Sequence, residues 1–165
     1  MSIQETRKNL KERLREFPSY YANVLSSSHT PIVALVTNHG EVVAGCGVQK
    51  PANYIVVYVK DHYRGRGLGK IVLQRTIAAA QSLNLSLLNL AVSTENAAAL
   101  RLYAKVGFKE TASFPVFKFK VLTLPLTFRG RTVYTFLHAV CSLFPETLLL
   151  YLLLFVMAVV KIARE

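Results

Sequence analysis

A β-branched strand running into a glycine–arginine turn and then an amphipathic helix most limits the folds open to this 165-residue chain. Tyr54-Ile55-Val56-Val57-Tyr58-Val59 has the composition of a buried strand. Beyond the turn, Leu68, Ile71, Val72, Thr76, Ala79, Ala80 and Leu83 recur every three or four residues, the spacing of one helical face. Arg64-Gly65-Arg66-Gly67-Leu68-Gly69 therefore occupies a strand-to-helix turn. Without side chains at the glycines, the backbone can approach a ligand and aim several N–H groups at it. The helix start adds unpaired donors and the positive end of its dipole, and Arg64, Arg66 and Lys70 add full charges. That combination suits a phosphate-bearing ligand. A Walker loop is excluded because Ile71, not Ser or Thr, follows Lys70. A Rossmann fingerprint is excluded by the Gly65-x-Gly67-x-Gly69 spacing and the lack of a following acid at the right distance. A structural turn carrying surface arginines is the plainer alternative.

A second block lies about thirty residues on. Leu90-Ala91-Val92 closes an apolar strand, and Asn96-Ala97-Ala98-Ala99-Leu100-Arg101-Leu102-Tyr103-Ala104-Lys105-Val106-Gly107-Phe108 follows. Ser93 or Thr94 is predicted to cap this helix with Glu95 in its first turn, and Ala99, Leu102, Tyr103 and Val106 share a face. Gly107 suits a left-handed helix end, over which Phe108 packs. By pattern alone, Tyr103 reads as a core aromatic. Arg64-x-x-Gly67-x-Gly69 followed by Asn96-x-x-Ala99-x-x-Leu102-Tyr103-x-x-x-Gly107-Phe108 resembles the acyl-CoA loop and succeeding block of the GNAT superfamily of N-acetyltransferases, over about residues 31–110.

The resemblance implies a mixed α/β (α+β) fold: a mostly antiparallel central sheet with a splayed strand pair, flanked by helices. It implies acetyl-CoA as co-substrate and no metal. Its pantetheine arm would lie between the strands ending near Val59 and Val92. The cofactor-binding residues carried over are Val57, Val59, Arg64, Gly65, Arg66, Gly67, Leu68, Gly69, Lys70, Asn96 and Tyr103. The amide near Val59 would polarise the thioester carbonyl, Asn96 would contact the arm, and Tyr103, the catalytic residue, would protonate the departing thiolate. A primary amine would attack directly. The chain departs from the pattern at the base: many members carry Glu on a splayed strand, yet neither Tyr54–Val59 nor Leu85–Val92 holds an acid, and Ala91 stands in its place. Glu41 and His62 are alternative bases, and the acceptor, small molecule or peptide, stays open. The missing acid equally fits a non-catalytic acyl-CoA-binding scaffold module.

Composition narrows the rest. The formal net charge of +11 admits nucleic acid, an anionic membrane or a polyanionic cofactor as partner, but no recognition helix, zinc finger or stacking motif specifies nucleic acid. Cys46 and Cys141 form no disulfide framework, and His29, His39, His62 and His138 are scattered rather than spaced as metal ligands. Residues 1–16 are charged and helical in pattern, unlike a signal peptide, so a cytoplasmic catalytic domain is expected.

Two domains are expected, an acetyltransferase domain at 1–142 and a hydrophobic C-terminal helix at 143–165. A first helix over 3–17, with a Ser2–Glu5 capping box, is stopped by Pro18, and a short one runs to Leu25. Strands follow at Ile32–Thr37 and Glu41–Val48 around Asn38-His39-Gly40, then strand 54–59, helix 67–83, strand 86–92 and helix 95–106. Phe114–Leu122 and Arg131–His138 are predicted to form a closing hairpin. Leu148–Val160 is an unbroken apolar run. A helix from Pro145 to Ile162 would measure about 27 Å, close to a hydrocarbon core of about 30 Å. Membrane anchor, dimer helix and a tail from a misplaced gene boundary are the competing readings.

Overall fold

The computed structural model describes residues 9–143. The Ser2–Glu5 capping box and the apolar helix expected over 145–162 lie outside the described residues. Among the described residues, no helix is long and apolar enough to cross a membrane.

A helical segment at 9–13 turns into Leu14 and Phe17, both buried, and Pro18 starts the next helix, α1 (Ser19–Ser26). Strands β1 (Ile32–Asn38) and β2 (Glu41–Gln49) pair antiparallel. Their turn places His39 and Gly40 both at positive φ, 46° and 85°, which matches the twist of the strands it joins. Strand β3 (Tyr54–Val59) leads through a single 3₁₀ turn, Asp61–Tyr63, and the glycine loop into α2 (Leu68–Ser82). Then come β4 (Leu87–Ser93), α3 (Ala97–Val106), β5 (Lys109–Phe114), β6 (Phe119–Pro125) and α4 (Phe128–Leu143). The six strands form one sheet in the order β1-β2-β3-β4-β6-β5, antiparallel except between β3 and β4.

Alternation along the strands divides the core. Cys46, Val48, Ile55, Leu88, Leu90, Val92 and Leu122 face α2 and α3, together with Val72, Leu73, Ala80, Tyr103 and Phe108. On the opposite face, Leu14, Phe17, Ala22 and Leu25 pack beside Val42, Tyr21 and Tyr58. Ala112 and Phe114 of β5 meet Cys141 of α4. A buried polar chain crosses the sheet: Thr111 Oγ1 bonds Thr123 Oγ1 at 2.7 Å, and Thr123 Oγ1 donates to Asn89 Oδ1 at 2.9 Å.

The closing hairpin differs from expectation. It is built from β5 and β6, and residues 131–138 belong to helix α4 rather than to a strand. Arg131-Thr132-Val133-Tyr134-Thr135 has strand-like composition. Thr127, however, caps the helix by accepting from Gly130 N at 3.1 Å, and Thr132 and Thr135 turn their hydroxyls back on Phe128 O and Arg131 O. Tertiary contact with Ser86 and β5 decides the conformation. The α3 cap differs too: Asn96, not Ser93 or Thr94, accepts from Ala99 N at 3.0 Å. Ser93 Oγ instead accepts from Glu95 N, and Thr94 bonds Lys118 O.

Candidate active site

Strands β3 and β4 pair at one register position, Tyr54 opposite Asn89, and then diverge. Lys60 N donates to Val43 O, so the even-numbered amides of β3 point to β2. By alternation, the N–H and C=O groups of Val57 and Val59 point into the gap toward β4. Asn53 O, on that same side, takes the N–H of Asn89 at the closed end. The result is a V-shaped opening lined by main-chain donors.

The glycine loop lies at its mouth. Gly65 and Gly67 have φ of 76° and 78°, and a Cβ at either would meet no atom within 4 Å, so both present bare backbone outward. Gly67 is the N-cap of α2 and, having no side chain, caps none of its own donors. Among the described residues, the N–H groups of Gly65, Arg66, Gly67, Leu68 and Gly69 have no acceptor, whereas those of Arg64 and Lys70 bond Asp61 O and Gly67 O. Left-handed glycines in such a turn make a concave nest of donors at a helix start. Gly69 plays a different part. A Cβ there would lie 3.3 Å from Leu102 Cδ2 and 3.6 Å from Val59 Cγ2, so it lets the first turn of α2 settle between β3 and α3.

The cations around the nest are exposed. Arg64 pairs with Asp61 at 2.7 Å and reaches Val59 O at 3.4 Å, while Arg66 lies over the Tyr63 ring at 5.2 Å. Lys70 is exposed on the first turn of α2. Between the β1–β2 hairpin and this loop is a cavity of about 250 Å³, lined in part by Asn38, Val43, Tyr63 and Arg66.

Tyr103 belongs to the α3 face that packs on the sheet, with its ring 5.7 Å from Phe108. Its hydroxyl makes no hydrogen bond among the described residues. Burial, reinforced by Cys46 and Tyr21, pushes its proton affinity far above the ordinary tyrosine value of 10. Tyr103 is thus a protonated donor throughout the neutral range. The Cys46 thiol is pushed up to about 12 by burial, which rules it out as a nucleophile near pH 7.

The two alternative bases fare differently. Glu41 is tied into an ion triad with Lys60 and Glu16, where Lys60 is 9% exposed. Burial opposes the charge of Lys60, but hydrogen bonds and charge from Glu16 and Glu41 outweigh it and raise the ammonium above its ordinary value. A carboxylate held that way is poorly placed to accept a substrate proton. His62 is exposed on the 3₁₀ turn. Asn96 spends its side-chain carbonyl on the α3 cap, so only its amide NH₂ remains for a ligand. Sequence patterning missed Tyr21 and Tyr58, whose rings meet at 4.7 Å and a 35° tilt on the sheet face opposite Tyr103. Their contact joins residues thirty-seven apart in the chain, which no local period reports.

Residues 3–108 match the Acetyltransferase (GNAT) family. L-methionine sulfoximine/L-methionine sulfone acetyltransferase from Pseudomonas paraeruginosa is 37% identical over 59 residues, 36% of this chain and 34% of that protein. The chain therefore matches about a third of the length of that curated relative. Ribosomal-protein-S18-alanine N-acetyltransferase from Escherichia coli superposes with a TM-score of 0.54 at 21% identity, covering 75% of this chain and 88% of that one. A Salmonella typhimurium structure solved with acetyl-CoA as its cofactor gives a TM-score of 0.53 at 23% identity, over 58% and 64% of the two chains. With the family matched across strand, loop, helix and the Tyr103 block alike, this chain belongs to the GNAT acetyltransferase family.

Proposed function

We propose that the chain is an acyl-CoA-dependent N-acetyltransferase that moves the acetyl group of acetyl-CoA to a primary amine by direct attack in a ternary complex. One observation carries the reading: five consecutive unpaired N–H groups, flanked by Arg64, Arg66 and Lys70, stand at the mouth of a gap lined by further free main-chain donors. A pyrophosphate fits the nest because Gly65 and Gly67 leave its outer face open.

Acetyl-CoA supplies the activated acetyl group when bound. Val57 and Val59 offer N–H groups from one wall of the gap, and the Val59 amide donates to the thioester oxygen as charge builds there. The neutral amine forms the C–N bond as the C–S bond breaks. Tyr103 gives its proton to the departing sulfur, and the proton lost from the attacking nitrogen as the amide forms returns through water to the Tyr103 phenolate. Leu68 and Gly69 hold the nest against β3, and Asn96 has its amide NH₂ free for the pantetheine arm. Because Tyr103 stays protonated past pH 10, turnover should not fall through its titration near that pH.

Tyr103→Phe is expected to lower kcat by about 10²-fold or more and to leave acetyl-CoA affinity within about twofold. Steady-state kinetics with calorimetry checks this, and an unchanged kcat removes Tyr103 from the chemistry. Acetyl-CoA bound tightly with no amine acetylated would instead favour the scaffold reading.

The two-domain division at 142 and 143 and attachment to a membrane from the cytoplasmic side form a second part of the proposal. It is favoured by the outer side of α4, where Phe128 (83% exposed), Phe136 (68%) and Leu143 (79%) stand in water just before the Leu148–Val160 run. The full chain should pellet with membranes and resist carbonate extraction, and a chain ending at Leu143 should not. A full chain that stays in the supernatant as a dimer supports the dimer helix.

A further inference from the structure

We infer that the acceptor is a primary amine carried on an aromatic or apolar body without a carboxylate, received by a tyrosine-lined patch formed by Tyr20, Tyr21, Tyr54 and Tyr58. The inference rests on the acetyltransferase reading and specifies the substrate of that same site.

Tyr54 and Tyr58 are even-numbered residues of β3, so their rings stand on the sheet face opposite Tyr103. Tyr54 sits at the closed end of the V, opposite Asn89, and Tyr58 directly precedes Val59 near its open end. From α1, Tyr21 meets Tyr58 at a 35° tilt with centroids 4.7 Å apart, and Tyr20 meets Tyr21 edge-on at 5.3 Å. Phe17 closes the base of the cluster, 4.7 Å from Tyr58. Tyr20 is 61% exposed, Tyr21, Tyr54 and Tyr58 are half-buried, and none of the four hydroxyls makes a hydrogen bond among the described residues. Rigid amphipathic rings with free hydroxyls, open on one side, are the chemistry of a binding platform.

Charge defines what the patch refuses. From β4, the same face contributes Asn89, Ala91 and Ser93, none of them ionic. Lys60, the cation next along β3, is engaged by Glu16 and Glu41, and Lys118 at the β5–β6 turn is paired with Glu95 at 2.7 Å. A carboxylate on the acceptor would find neither lysine free. The ring faces, by contrast, favour an approaching amine and its apolar body.

The test compares 2-phenylethylamine, phenylalanine and methionine sulfone as acceptors for the full chain at saturating acetyl-CoA. The amine is expected to exceed both amino acids by about tenfold or more in kcat/KM. Tyr20→Ala, at an exposed position, and Tyr21→Leu, which keeps the apolar packing but removes the ring, should each raise KM for the amine by about threefold to tenfold, with acetyl-CoA affinity unchanged. Equal or better use of either amino acid, no acetylation of the amine despite bound acetyl-CoA, or an unmoved KM in both variants overturns the inference and leaves the cofactor site standing. Absence of acetyl-CoA binding overturns both.

Discussion

Gly67→Asp is expected to weaken acetyl-CoA binding by about 100-fold or more while the domain stays folded. An affinity loss of that size corresponds to about 2.7 kcal/mol. It is the scale expected when charge-assisted bonds to phosphate are replaced by a carboxylate aimed at the same donors. The fold should survive for two reasons. A Cβ at residue 67 meets no neighbour within 4 Å, so nothing clashes. Asp also tolerates the left-handed conformation better than most residues, and its carboxylate suits a helix start. The strain of about 1–2 kcal/mol at φ 78° should lower Tm by no more than about 8 °C. Calorimetry against acetyl-CoA, beside a thermal melt, separates the effects. An unchanged affinity in a folded variant would remove the nest from the cofactor site.

The largest expected effect on stability is at Gly130. In an ordinary exposed helix, Gly→Ala adds about 1 kcal/mol of stability. Here the sign should reverse, because a Cβ on Gly130 would overlap the Ser86 carbonyl oxygen and lie 2.8 Å from its carbon. That carbonyl also accepts from Leu126 N at 2.9 Å and Thr127 N at 3.3 Å, so it cannot move without losing the bonds that end β6. Gly130→Ala is expected to cost about 3 kcal/mol, lowering Tm by about 6–12 °C for a chain of this length. Urea unfolding at constant slope provides the measurement. A variant as stable as the parent would mean that α4 does not rest on Ser86.

These two glycines also show where sequence reading reaches and where it stops. Gly67 was legible because its requirement is local: a strand period, a turn and a helix period meet within a few residues, and the spacing of Arg64, Gly67 and Gly69 is itself informative. Gly130 has the chemistry of a turn residue, and Thr132, Val133 and Tyr134 after it have that of a strand, which is why a hairpin with residues 131–138 is the expectation. Only contact with Ser86 on a distant loop makes it a helix residue at a close crossing. Asn96 lies between these cases. Its place at the helix start was visible, but which of Ser93, Thr94 and Asn96 would cap depended on the path of the chain between β4 and α3.

By itself, the sequence determined the order of the central elements, the glycine nest and the Tyr103 helix, because each follows from periodicity and turn chemistry over short stretches. Tertiary structure decided that β3 and β4 part after a single paired position, that α4 replaces the expected last strand, and that Tyr20 and Tyr21 of α1 meet Tyr58 of β3. The physical reason is range. Backbone preferences act between near neighbours, whereas the width of the V and the tyrosine patch depend on side chains brought together from α1, β3 and β4 by burial of a common core.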